Sequence, residues 1–284
     1  MNNDKILVVT DSSSSLPEEL IKELDIRVIP LWLIWDDHCF RDGVDIDPHT
    51  FYQHLRTSES LPSSTQPSAV EFKEFFRNLA DECAGIVNVL ASSKISGTVD
   101  SAEAAKEFLP GLPIRVVDSF FCAIGEGLVA VAAARAAASG KSIDEVANRA
   151  ELVRDHTHLL FVVDTLEYLH KGGRIGGAKK LLGTALNIKP ILHFEDGRIQ
   201  PLSQTRTKRK GVDELLNIAA ERLGSGKMAE AGVVHVDCLE EGKLLVEKVK
   251  KRFNPPQTHL SDVSPVVGTH VGPGALGLAF FPEI

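Results

Sequence analysis

Basic residues are in the minority: 31 Lys and Arg stand against 39 Asp and Glu, giving a formal net charge of −8 and a pI near 5.7. A chain with that balance has no electrostatic footprint for nucleic acid or for an anionic membrane surface, so neither partner is expected. Cysteine is sparse as well, with 4 residues at positions 39, 83, 122 and 238. They show no C-x-x-C spacing and lie in or near apolar segments, which argues against a disulfide framework or a zinc site and suits reduced thiols in a cytosol. A membrane-spanning run is missing. The most apolar stretch, Phe120 to Ala138, contains Glu126 and Arg135 and is rich in Ala and Gly, the composition of a close-packed core helix rather than a span. The opening Met1-Asn2-Asn3-Asp4-Lys5 runs straight into Ile6-Leu7-Val8-Val9 without the basic and long apolar regions of a signal peptide, so a cytoplasmic location is expected. There is no H-E-x-x-H among the 10 histidines, whose tightest pair is His156-x-His158, and metal chemistry is not expected.

Two short motifs are present but lack their mechanism. Gly272-Pro273-Gly274-Ala275-Leu276-Gly277 matches the dinucleotide pattern G-x-G-x-x-G, yet too little chain follows it for a βαβ unit. Gly140-Lys141-Ser142 resembles the end of a phosphate-binding loop, but Arg135 stands where its first glycine belongs, and a helix stop followed by a helix start explains it. The basic run Arg206, Lys208, Arg209, Lys210 reads as a solvated helix start.

What is there is the composition of a globular chain of 284 residues, 43% hydrophobic and 25% charged, a length that suggests about two domains. Lys5 to Thr10, Gly85 to Leu90 and Ile114 to Asp118 read as buried strands of a parallel sheet, separated by helical segments. The long apolar helix is expected to start at Ser119. Ser142 with Glu145 caps the next helix, to about Asp155. From His158 the pattern changes: a strand from Leu159 to Asp164 precedes a hairpin of Ile188 to Glu195 and Arg198 to Gln204, joined by Asp196-Gly197. Helices at Lys208 to Leu223 and Glu240 to Phe253 alternate with further strands. The reading is an α/β chain with an N-terminal three-layer parallel-sheet domain (1–157) and a C-terminal mixed-sheet domain (158–284) and no internal repeat.

Two hydroxyl clusters carry the functional expectation. In Leu61-Pro62-Ser63-Ser64-Thr65-Gln66-Pro67-Ser68, two prolines hold four hydroxyls and a carboxamide in restricted backbone. Ser68 with Glu71 forms a capping box, so this cradle meets a helix N-terminus that favours an anion. Ala91-Ser92-Ser93-Lys94-Ile95-Ser96-Gly97-Thr98 follows a strand's carboxyl end, the usual ligand position in open α/β sheets. Arg174, amid glycines at 172, 173, 176 and 177, and His270, between glycines at 268 and 272, complete a donor set for an oxyanion. The alternatives are a capped polar loop, a helix-end cation and a histidine with no role. A serine nucleophile with a histidine base lacks the G-x-S-x-G elbow.

With those residues in view, the chain resembles the DegV family of bacterial fatty-acid-binding proteins that serve fatty-acid kinase. The resemblance covers nearly the whole length. It rests on Thr10-Asp11-Ser12, Pro62 to Pro67, Ser92-Ser93-x-x-Ser96-Gly97-Thr98, Asp118-Ser119, Gly172-Gly173-Arg174-Ile175, Ile188-Lys189-Pro190, Asp196-Gly197 and His270-x-Gly272-x-Gly274-x-x-Gly277. It implies two α/β domains with a long-chain acyl group, such as palmitate or oleate, in a narrow tunnel. Ser64 and Ser93 would bond the carboxylate, Ser63 and Ser96 would stand close, and Thr65, Arg174 and His270 would form the rim. The family's cradle more often reads Thr-Ser before Gln-Pro, where this chain has Ser64-Thr65. A carrier without cofactor, metal or turnover of its own, handing the acid to a kinase subunit, is the expectation. A serine-dependent acyl hydrolase or a phosphotransferase component is the alternative.

Overall fold

The computed structural model describes residues 5–183 and 188–284. The reading of Met1 to Asp4 as lacking a signal segment therefore lies outside the described residues. The first half runs β1 (Ile6–Asp11), α1 (Glu18–Glu23), β2 (Arg27–Ile29), β3 (Trp32–Trp35), β4 (His38–Arg41), α2 (Pro48–Leu55), β5 (Ser63–Thr65), α3 (Ala69–Leu79), β6 (Gly85–Leu90), α4 (Thr98–Lys106), β7 (Ile114–Asp118), α5 (Ala123–Ala138) and α6 (Ile143–His156). The second half runs β8 (His158–Val162), α7 (Glu167–Lys171), β9 (Lys189–Glu195), β10 (Arg198–Thr205), α8 (Lys208–Leu223), β11 (Met228–His235), α9 (Leu239–Phe253), β12 (Gln257–Asp262), α10 (Pro265–Val271) and β13 (Leu276–Pro282).

A parallel sheet in the order β2-β1-β6-β7 is built wholly from strands ending by Asp118, and a mixed sheet β10-β9-β8-β13-β11-β12 from strands beginning at His158. Alternation along β1 sorts its side chains: Leu7 and Val9 meet the Phe72–Phe76–Leu79 stripe of α3, while Ile6 and Val8 join the core around α5. The mixed sheet turns Leu160, Val162, Leu278 and Phe280 toward α8 and α9. Its other face supplies Phe161, Phe194, Val234 and Phe281 to the same core as α5. That helix is therefore shared by the two sheets, touching β1 and β6 on one side and β11 and β13 on the other. Its alanines and glycines allow this: a Cβ on Gly127 would stand 2.9 Å from the Ser14 carbonyl oxygen. No helix among the described residues is long and apolar enough to cross a membrane.

One local expectation is corrected. The long helix starts at Ala123, not Ser119, because Asp118 and Ser119 take the backbone instead: Ser119 Oγ accepts from Phe121 N–H (3.1 Å), Asp118 Oδ1 accepts from Phe120 N–H (3.0 Å), and Phe120 sits at φ +58°. The cradle is extended at its centre, and the alternative of a polar loop does not hold there. Ser63–Thr65 is β5, paired antiparallel with β3 so that Ser64 lies opposite Leu33, with β4 completing a small third sheet. The segment before the terminal glycines is a helix, α10, capped by Ser264 and opened by Pro265. The capping boxes at Ser68–Glu71 and Ser142–Glu145 form as read, and the hairpin turns at Asp196 (φ +48°) and Gly197 (φ +76°).

Candidate functional site

Two cavities meet between the small sheet, α5, α10 and the mixed sheet. The first, a space of about 570 Å³ counting the part open to solvent, is bordered by Ser13, Ser64, Thr65, Gln66, Ser96, Arg174 and His270 together with apolar side chains. The second, a space of about 410 Å³ counting the part open to solvent, is lined by apolar side chains and glycine, among them Leu159, Phe161, Phe194, Val234 and Ala275. Cys122, Ile199, Val267 and Val271 line both, so a cavity with hydroxyls, a guanidinium and an imidazole on its border, the head chamber, shares a wall with an apolar cavity, the tunnel.

The head chamber gathers residues far apart in sequence. Ser64 Oγ lies 2.7 Å from His270 Nε2. Burial, with the Arg174 charge second, pushes the His270 imidazole down to about 4, so the ring is neutral near pH 7. His270 Nδ1 is buried without a partner among the described residues and packs on Gly172, where an added Cβ would come within 2.2 Å of it. An orphaned lone pair is tolerated better than an orphaned N–H. The neutral ring is therefore protonated on Nε2, which donates to Ser64 Oγ and leaves the Ser64 proton free to donate into the chamber. Arg174 donates to the carbonyls of Ile95 (3.2 Å) and Gly172 (2.9 Å) and has no carboxylate partner among the described residues. An uncompensated guanidinium beside a free hydroxyl favours an anion.

Of the sequence-derived candidates, Ser64, Thr65, Ser96, Arg174 and His270 border the chamber, with Ser96 Oγ 2.6 Å from Thr98 Oγ1. Ser63 is exposed on β5, and Ser93 is half-buried with its N–H aimed at the Asp118 carboxylate (3.3 Å); neither borders the chamber. Sequence reasoning passed over Ser13, Cys122 and the α10 wall, and gave Gln66 no part beyond the carboxamide of the cradle. Gln66 ties the two hydroxyl clusters together, since a Cβ on Gly97 would meet its Nε2 at 2.8 Å. The α10 wall had a legible signal: Ser264-Pro265 marks a helix start, and Val267, His270 and Val271 then fall at i, i+3, i+4 on one face. The terminal glycines serve packing rather than a nucleotide: a Cβ on Gly272 would meet the Tyr168 ring at 2.2 Å, and one on Gly274 the Asp164 carboxylate at 2.1 Å.

Three sheets, a helix shared by two of them and two cavities with a common wall are the frame in which the chain is compared with known proteins. The family described as "Uncharacterised protein, DegV family" matches residues 5–283, and the chain belongs to it. A DegV domain-containing protein of Listeria monocytogenes is 35% identical over 279 residues, 98% of this chain and 99% of that one. Among solved structures, a DegV family protein from Thermus thermophilus described by its fatty acid binding is 31% identical with a TM-score of 0.91, over 98% of this chain and 100% of that one. DegV from Bacillus subtilis, described as a fatty acid binding protein, is 29% identical with a TM-score of 0.91, over 99% and 100%.

Proposed function

We propose that this protein carries one long-chain fatty acid, its tail in the apolar tunnel and its carboxylate in the head chamber, and presents that carboxylate to a separate fatty-acid kinase. The observation that carries the reading is the shared wall of Cys122, Ile199, Val267 and Val271, which sets a chamber with donors on its border beside an apolar cavity without charged lining residues. Only a ligand with an anionic head and a long apolar tail satisfies both ends. The description of DegV relatives as fatty-acid-binding proteins supports it. Palmitate and oleate are the expected ligands, and no cofactor is needed for carriage.

In this proposal Ser64 donates to the carboxylate and Thr65, Ser96, Arg174 and His270 surround it, while Ser63 and Ser93, which do not border the chamber, take no part. Burying a C16 tail would contribute on the order of 12 kcal/mol gross at about 0.8 kcal/mol per methylene, before immobilisation and carboxylate desolvation are subtracted. A modest surplus gives slow release. The Ser64–His270 contact also fits a serine hydrolase, but a catalytic base needs its other nitrogen oriented by a third group, and His270 Nδ1 has none among the described residues. Delipidated protein should take up oleate at one per chain, and the loaded protein should yield acyl phosphate when given a bacterial fatty-acid kinase and ATP. Failure to take up oleate would remove the carrier reading; uptake without phosphorylation would remove the kinase step alone.

A further inference from the structure

The hairpin of β9 and β10 reaches past the sheet that carries it. Along β9 the ladder to β8 ends at His193, so Phe194 to Ile199 project beyond it as an arm. β10 breaks register between Pro201 and Ser203, beside the point where the arm begins, and Pro201 offers the ladder no N–H. A bulge bends a strand and interrupts its pairing, which makes this the arm's hinge. The arm turns through Asp196 and Gly197, both at positive φ as a two-residue hairpin turn requires. Its tip is nonetheless not free in solvent, for Gly197 is buried.

What buries it is the first half of the chain. Ser92 Oγ donates to the Gly197 carbonyl (2.8 Å), and a Cβ on Gly197 would stand 2.4 Å from that hydroxyl and 3.0 Å from Lys94 Cγ. Ser92 has no freedom to follow a moving tip: it is fully buried, its N–H donates to Phe121 O (2.7 Å) and its Oγ accepts from Lys94 N–H (3.2 Å). Behind the tip the arm walls the ligand space. Phe194 lines the tunnel and meets the Phe121 ring edge-on at 5.9 Å, and Ile199 lines both cavities. Gly176 backs onto the Ile199 carbonyl, where a Cβ would stand at 2.3 Å, so that segment must shift when the arm does. Ser92 and Gly197 themselves line neither cavity.

Resting on the carrier reading, we propose that this arm is a gate for the fatty acid tail and that Ser92 is the positioning residue that latches it. With the bond made, Phe194 and Ile199 close the tunnel. When it breaks, the arm swings on the bulge at Leu202, both side chains withdraw and the tail passes. The latch touches no group that meets the ligand, so it holds the arm shut equally with and without one. Its loss therefore speeds loading and release by the same factor and leaves the affinity unchanged. Loss of a carboxylate contact such as Ser64 does the reverse, weakening the affinity.

The test is stopped-flow loading and release of a fluorescent long-chain fatty acid, with melting curves to verify folding. Ser92→Ala should raise both rate constants by about two- to tenfold, the range for loss of one neutral hydrogen bond, with Kd unchanged. Gly197→Ala, which forces the tip off Ser92, should raise both at least as far. Hydrogen exchange on the wild-type protein needs no variant: the amides of 194–199 should exchange before those of 191–193. Rates unchanged in both variants, a Kd raised without faster loading, or an arm as protected as the strand behind it overturns the gate while leaving carriage intact. Wild-type protein that takes up no oleate overturns carriage, and the gate with it.

Discussion

Ser64→Ala is the sharpest perturbation of the head chamber, because the hydroxyl it removes accepts from His270 Nε2–H at 2.7 Å and keeps its own proton free to donate. If that proton meets the fatty acid carboxylate, its loss removes a hydrogen bond to a charged group, worth about 1.5 to 3 kcal/mol. At 1.4 kcal/mol per decade, affinity should fall roughly 10- to 100-fold. A second consequence is separable. The substitution strands the His270 Nε2–H, and a buried orphaned donor costs about 1 to 3 kcal/mol of stability, a few degrees in Tm for a chain of this size. Displacement titration reads the first effect and a ligand-free melt the second. A Ser64→Ala protein that melts early yet binds oleate like wild type would refute the reasoning, since the hydroxyl would then be holding His270 and nothing more.

Gly172→Ala should mimic loss of His270: the new Cβ stands 2.2 Å from Nδ1, so the ring must move and oleate affinity should fall although no polar atom has been removed. Unchanged binding would mean that the ring's position is immaterial. Asp42→Asn tests a buried acid. Burial raises the Asp42 carboxyl to about 7, above its unfolded value of 3.8, so the folded state holds the extra proton and wild-type stability falls as pH rises from about 4 to 7. The asparagine variant should therefore gain about 1 to 4 kcal/mol on wild type at pH 8 and nothing near pH 4, as read by denaturant melts; an equal difference at both pH values would count against a titrating Asp42. Ala275→Leu fills the apolar tunnel at a residue only 3% exposed. It should shift preference from C18 toward shorter acids in a competition assay, and an unshifted preference would place the tail elsewhere.

The βα alternation of the first half was legible because buried parallel strands read as short unbroken apolar runs: Gly85 to Leu90 and Ile114 to Asp118 have the expected bounds. Capping boxes and the Asp-Gly hairpin turn were legible for the same reason, since each depends on residues within a few positions. The misses are tertiary. Ser63–Thr65 has no strand pattern of its own and becomes β5 only because β3 offers an edge. Ser119 looked like a helix start because nothing local shows that its hydroxyl turns back onto Phe121 N–H. At the site, the sequence marked the hydroxyl clusters, Arg174 and His270, but strand alternation decides that Ser64 and not Ser63 meets His270. Ser13 read as part of a turn, and its link to Glu126 spans 113 positions, beyond any local motif.

The most direct test of carriage is to express the protein in bacteria, purify it without added lipid, and measure bound fatty acid by native mass spectrometry and by extraction. The account predicts an unmodified long-chain acid at close to one per chain, released on denaturation and taken up again from oleate by the stripped protein. Protein that is empty, refuses oleate and cleaves an acyl ester in a manner abolished by Ser64→Ala would contradict it in favour of the hydrolase.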